Sequence, residues 1–331
     1  MLLAYNKMEL FDALLASDVP EDPYIRTALQ RHFPQPLRDR FPDHIPRHPL
    51  RREIIATHVV NSMVNRVGPT FVYRLQQETG AAAPDIVRAY IATREVFGQV
   101  RLWQTIEALD NQVADTTQTA MVLECLRLVQ RGTLWFLRHR EHLRDLAETL
   151  QRFTSSVDQL ADSLYRVVAA DYRAKLDGVV SHYSGLGVPS TLAQRIAVLE
   201  ELYSALDLVE VAAQLQRPVE LVARVYFALG GLLNLHWLGE RVEALKADTH
   251  WQGLARTALR DDLSNQARSL AAQVLRERPD LNESELLVAA WRTRLAFQFE
   301  RYQQLSAEIR TAPAADIAML SVALRELRSL A

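Results

Sequence analysis

Apolar side chains recur every three or four residues along almost the whole chain, and β-branched residues nowhere alternate with polar ones over the length of a strand. The pattern predicts helices throughout. It is sharpest at 50–67, LRREIIATHVVNSMVNRV, where Ile55, Val59, Val60, Met63, Val64 and Val67 share one face. A second face is polar: His58, Asn61 and Asn65 stand at i, i+3 and i+7. Amides are poor filler on a helix surface. Such a row points either to a surface that meets another body or to a polar network inside the core, and residue type alone leans slightly to the core. As a candidate interdomain contact the row takes in Arg66 and Arg74 as well. Gly68-Pro69 ends the helix; a short helix, a turn at Gly80 and a helix opened by Pro84 follow.

Residues 2–16 read as a helix, with Leu3, Met8, Leu10, Phe11 and Leu14 apolar, and 24–33 as a short one. Prolines at 34, 36, 42, 46 and 49 leave only short turns between extended joints. Residues 1–47 are therefore expected to form a Pro-rich helical arm, continuing from whatever precedes it, and 48–331 the helical domain proper. Beyond Pro84 the pattern gives helices at 84–97, 100–109 and 115–140. Leu143, Leu146, Leu150, Phe153, Val157, Leu160, Leu164 and Val167 then form a heptad seam; Asp171 takes the next seam position, and the stripe resumes at Tyr172. A seam of that length needs a partner. Long antiparallel helices within the chain are expected, with an intermolecular pair as the alternative. Helices follow at 192–202, capped by Ser190, at 206–215, 219–230 and 232–245, and at 250–278, capped by Asp248. Another follows a capping box of Asn282 and Glu285, and a last one covers 315–330.

A weak echo runs through the chain. Ala89-Tyr90 returns as Val225-Tyr226 and Glu107-Ala108-Leu109 as Glu243-Ala244-Leu245, each 136 residues on (226 against 90, 243 against 107), while 71–80 returns in outline at 208–217. The expected architecture is an all-α multi-helix bundle containing two helix-turn-helix-like units, at 70–90 and 207–227.

Charge and chemistry narrow the function more than the fold. Net charge is −2 from 38 basic and 40 acidic residues, which gives no overall electrostatic case for nucleic acid or an anionic membrane. The second helices of the two units offer only Arg88 and Arg94, and Arg224. The single cysteine, Cys125, sits among apolar neighbours as a core thiol, excludes an internal disulfide and fits a reducing compartment. The first residues carry Lys7, Glu9 and Asp12 and do not read as a signal peptide, and no apolar run is long enough for a bilayer, so a cytoplasmic location is expected. His44 and His48 straddle Pro46, and His139 and His142 have no third ligand nearby, so no metal is expected. The GxG of Ser184-Gly-Leu-Gly-Val-Pro189 lacks a third glycine and a preceding strand, so it reads as an interhelical turn and not a dinucleotide loop. Arg260-Asp261-Asp262 reads as an exposed ion-pair cluster.

The block LRREIIATHVVNSMVNRVGPTFVYRLQQETGA, with IVRAYIATREVF after it, resembles the C-terminal region of the large bacterial NAD-specific glutamate dehydrogenases. So do LLAYNKMELFDALLASDVPEDPY at the start and, later, RIAVLEELYSALDLVEVAAQ, ARVYFALGGLLNLHWL and DTHWQGLARTALRDDL. The resemblance implies a parent that oxidises L-glutamate to 2-oxoglutarate and ammonia with NAD. It places the cofactor domain and a catalytic lysine upstream of this segment, so no catalytic, cofactor-binding or metal residue carries over. It implies an excised piece that binds no cofactor and is inactive alone, assists assembly or regulation, and has as partners the upstream catalytic domain and further copies of the parent.

Overall fold

In the computed structural model, which describes residues 2–312 and 315–330, every regular element among the described residues is helical. The chain divides into two compact units at 158/159. The first holds α1 (Leu2–Leu15), α2 (Thr27–His32), α3 (Gln35–Arg40), α4 (Arg51–Val67), α5 (Phe71–Thr79), α6 (Ala83–Val96), α7 (Gln99–Glu107) and α8 (Asp115–Arg138). The division falls inside α9 (Leu146–Val167). The second unit holds α10 (Ala170–Gly185), α11 (Ser190–Ala197), α12 (Leu199–Leu202), α13 (Ala205–Leu215), α14 (Val219–Leu232), α15 (Leu235–Glu243), α16 (His250–Glu277), α17 (Ser284–Arg294), α18 (Ala296–Thr311) and α19 (Ile317–Arg328).

In the first unit α4 buries Ile55, Ala56, Val59, Val60, Met63 and Val64, the face the spacing picks out, and packs on α1, whose Leu10 and Leu14 are buried. Burying each large aliphatic side chain is worth roughly 1.5–3 kcal/mol, which fixes α4 far more firmly than its surface contacts do. Arg52 of α4 closes the end of α1: its Nη2 donates to the carbonyls of Leu15 and Ser17 at 2.7 and 2.8 Å, and its Nη1 lies 2.8 Å from Glu21 Oε1. A cation is favoured there because the last carbonyls of a helix lack partners and carry the negative end of its dipole.

The echo in the sequence is a repeat of helix boundaries. Shifting α6 and α7 by 136 residues gives the bounds of α14 and α15 (83 and 96 against 219 and 232; 99 and 107 against 235 and 243). The left-handed residues before them shift likewise, Gly80 to Gln216 and Gly98 to Asn234. The outline match of 71–80 to 208–217 is thus one residue out of frame. In each unit the same neighbours pack: α5 on α6, α6 on α7, α6 on α8 and α7 on α8 in one; α13 on α14, α14 on α15, α14 on α16 and α15 on α16 in the other. The long helix has its own offset. Each buried residue of α16, from Leu259 to Leu275, lies 138 residues after a buried residue of α8, from Met121 to Leu137 (259 against 121, 275 against 137).

Several expected ends differ. The segment 192–202 is broken at Val198 into α11 and α12, and Ser190 begins α11 without capping it. Thr249, not Asp248, caps α16, in a capping box with Gln252. Asn282 and Glu285 form no capping box: Glu283 precedes α17, and Asn282 Oδ1 accepts from Arg217 Nη2 at 3.2 Å. Arg217 also bonds the carbonyls of Pro279 and Leu281, so a long-range cation organises this turn where a local cap was expected. Along α9 the seam residues Leu146, Phe153, Val157, Leu160 and Leu164 are buried, but the last buried position is Val168, not Val167. The helix ends there, so the seam is interrupted by a joint as well as by a slip. The side chains of Leu3 and Asp171 lie outside the described residues.

Candidate functional site

The core reading of the polar stripe is overturned: His58, Asn61 and Asn65 all lie on the exposed face of α4, as does Arg66, and Arg74 is exposed on α5. Lys7 of α1 joins the two amides, with its Nζ 2.9 Å from Asn61 Oδ1 and 3.0 Å from Asn65 Oδ1. Asn6 donates to the carbonyl of Pro69 at 3.2 Å, so α1 is tied to the end of α4 as well as its middle. Tyr5 and Met8, also on α1, are 66% and 67% exposed. Arg66 turns away from the amides: it pairs with Glu107 and lies over the Trp103 ring at 5.1 Å. Lys7 was not singled out by sequence pattern, because its partners lie more than fifty positions away.

His58 faces the other way along α4, onto a cavity of about 200 Å³ between α2, α4 and α6. Tyr24, Arg31, Ser62, Tyr90 and Arg94 supply its polar lining; Ile25, Ala28, Val59, Ile91 and Val100 supply much of the rest. Arg94 pairs with Glu95 and donates from Nη1 to Ser62 Oγ at 3.2 Å. Burial, then the positive charges of Arg94, Arg31 and His32, hold His58 below the ordinary histidine range. Burial and the Glu95 carboxylate push the Tyr24 phenol up to about 12.

A second polar cluster joins α10, α12 and α15. His236 Nδ1 is 3.5 Å from Glu201 Oε1, and its Nε2 lies 3.2 Å from Glu240 Oε1 and 2.7 Å from Lys175 Nζ. Lys175 also reaches Glu240 at 2.9 Å, and the Tyr172 ring stands 4.3 Å from the imidazole. Burial pushes the His236 pKa down, but the Glu201 carboxylate more than offsets it, and the net direction is upward. These groups come from three separate helices, so periodicity could not assemble them.

The other candidates resolve into local structure. On α6, Arg88 pairs with Asp18 at 2.7 Å and its side chain is 12% exposed; on α14, Arg224 pairs with Glu220 at 2.7 Å. The arginines of these helices are thus matched by carboxylates. His139 stacks on Trp135 at 4.0 Å and His142 lies near-parallel to the same ring at 5.7 Å, while His48 Nδ1 accepts from the Leu50 amide at 3.1 Å. Among the described residues no three His, Cys, Asp or Glu side chains are grouped to hold a metal. Cys125 is buried, and Arg260 pairs with Glu243 at 2.5 Å. The 184–189 segment is a helix end: Gly187 has φ +88° and the Val188 amide donates to the Tyr183 carbonyl at 3.1 Å. That closed turn follows one helix and no strand, so it does not fit a dinucleotide's phosphates. No single helix among the described residues is long and apolar enough to cross a membrane.

Comparison with known proteins adds three findings. Residues 1–329 match the family described as glutamate dehydrogenase, C-terminal. The chain is 35% identical over its full length to a protein of Pseudomonas aeruginosa and 34% identical over its full length to one of Halomonas elongata; over 99% of its length it is 32% identical to one of Mycobacterium tuberculosis. All three are named NAD-specific glutamate dehydrogenase, and the chain spans 20% of the length of each.

Proposed function

The chain belongs to the family of glutamate dehydrogenase C-terminal regions, and from that premise we propose that it is a non-catalytic assembly or regulatory domain of a longer NAD-dependent glutamate dehydrogenase. The parent would oxidise L-glutamate to 2-oxoglutarate and ammonia, with NAD and the catalytic lysine held by another part of the polypeptide. The observation that carries this reading is one of proportion: the chain matches the family from end to end yet accounts for a fifth of each relative.

The surface best suited to meet the rest of the polypeptide, or another copy of it, is that of α1 and α4. Tyr5 and Met8 of α1 expose apolar area while Lys7, Asn61 and Asn65 offer polar groups, and a mixture of apolar area and amides suits an interdomain contact that is also wetted. Each Lys7–Asn bond is exposed and contributes at most about 1 kcal/mol to the fold, so changing it leaves the helices in place. In the full-length enzyme, Asn61→Leu and Asn65→Leu are expected to change native mass or turnover while the 331-residue chain keeps its helical circular-dichroism spectrum. Unchanged mass and kinetics in both variants would remove this docking surface. Glutamate-dependent reduction of NAD by the 331-residue chain alone would remove the non-catalytic assignment.

A further inference from the structure

The cavity between α2, α4 and α6 has a chemistry that the docking role does not use. Two arginines converge on it from separate helices, Arg31 from α2 and Arg94 from α6, and the imidazole of His58 on α4 lines it beside them. One carboxylate, Glu95, stands against them, and it is taken up by Arg94 and the Tyr24 hydroxyl. Tyr90 backs the cavity, its residue 1% exposed, with the Arg94 guanidinium 5.8 Å from the centre of its ring. The remaining wall is aliphatic: Ile25, Ala28, Val59, Ile91 and Val100.

We propose that this cavity binds a small organic carboxylate with a compact aliphatic body. Arg31 donates to the carboxylate, and Arg94, fixed by Glu95 and Ser62, adds its charge. The body packs on Ile25, Val59 and Ile91. An apolar pocket with a few convergent donors is the usual form of a small-molecule site, and charge-assisted bonds from arginine are the strong ones. His58 acts as a reporter: burial and then the positive field of Arg94 and Arg31 hold its pKa down, and a bound anion offsets the field.

The test is a nuclear magnetic resonance titration of the 331-residue chain with isovalerate, isovaleramide, isobutylamine and inorganic phosphate, following the His58 and Tyr90 ring signals. Isovalerate is expected to saturate at millimolar concentration and to raise the His58 titration midpoint; the neutral amide and the amine are expected to do neither. Arg31→Gln removes an exposed side chain that the fold does not need, and is expected to weaken isovalerate roughly tenfold. Ala28→Leu, which fills the cavity, is expected to abolish binding. Equal binding of the amide, saturation by phosphate but not isovalerate, no saturation by any probe, or unchanged affinity in Arg31→Gln would each overturn the proposal.

Discussion

Gly132 lies within α8, against Thr93 of α6 and Phe97 at the end of that helix. A Cβ there would stand 2.5 Å from Thr93 Cγ2, 3.0 Å from Phe97 Cε2 and 3.3 Å from Thr93 Oγ1. Both neighbours are fully buried, at 0% and 1% exposure. Thr93 cannot simply turn aside, because its hydroxyl donates to the Ala89 carbonyl at 2.8 Å. Replacing glycine by alanine in an open helix position gains about 1 kcal/mol of helix propensity. Forcing a methyl group into a filled core costs roughly 1–3 kcal/mol, and two rigid neighbours put Gly132→Ala toward the upper end. The expected net result is a loss of about 1–2 kcal/mol. Gly178, within α10, has nothing within 4 Å of the same added atom, so Gly178→Ala is expected to gain about 1 kcal/mol instead. Urea unfolding followed by circular dichroism and tryptophan fluorescence compares the two on one scale. Thr93→Ser removes the clashing methyl and keeps the hydroxyl, so in the Gly132→Ala background it should cost less than it does alone. A Gly132→Ala protein as stable as the parent, or a Thr93→Ser change that does not couple to it, would refute the close-approach argument.

Three further outcomes follow from the same geometry. Gln99 is fully buried with neither its amide oxygen nor its nitrogen bonded, and the equivalent position 136 residues on is Leu235, so Gln99→Leu is expected to stabilise the chain by roughly 1–2 kcal/mol in urea unfolding; a destabilised variant would mean the amide has a partner. Gln216 holds the left-handed turn at φ +53° that Gly80 holds in the first unit, and Gln216→Gly is expected to raise stability by up to about 1 kcal/mol, with no gain marking the turn as unstrained. His236 titrates above the ordinary histidine value, so its contribution to stability is full below pH 6.5 and is lost as pH rises through the higher folded value. His236→Asn is expected to flatten that stretch of the stability profile, and an imidazole midpoint at or below 6.5 by nuclear magnetic resonance would contradict it.

The chain's own sequence determined a good deal of this protein. Helix, as the only regular element among the described residues, follows from spacing and composition, since a stripe at three and four residues has no stable home in a strand. The buried face of α4, the stops at Gly68 and Gly80 and the start at Pro84 are local chemistry, and local chemistry is legible along a chain. So is membership of the family, because the block around α4 keeps many residue types at fixed separations. The tertiary structure decided the rest. Whether Asn61 and Asn65 face core or solvent depended on where α1 packs, and Lys7 reaches them from more than fifty positions away. The end of α1 is closed by Arg52 and the turn before α17 by Arg217, each acting over tens of residues where a neighbouring cap was the natural expectation. The cavity at Tyr90 and the His236 cluster each draw on three helices. The repeat was faint in residue identities but plain in helix bounds and buried faces, because packing constrains size and direction at each position and leaves the residue itself free to change.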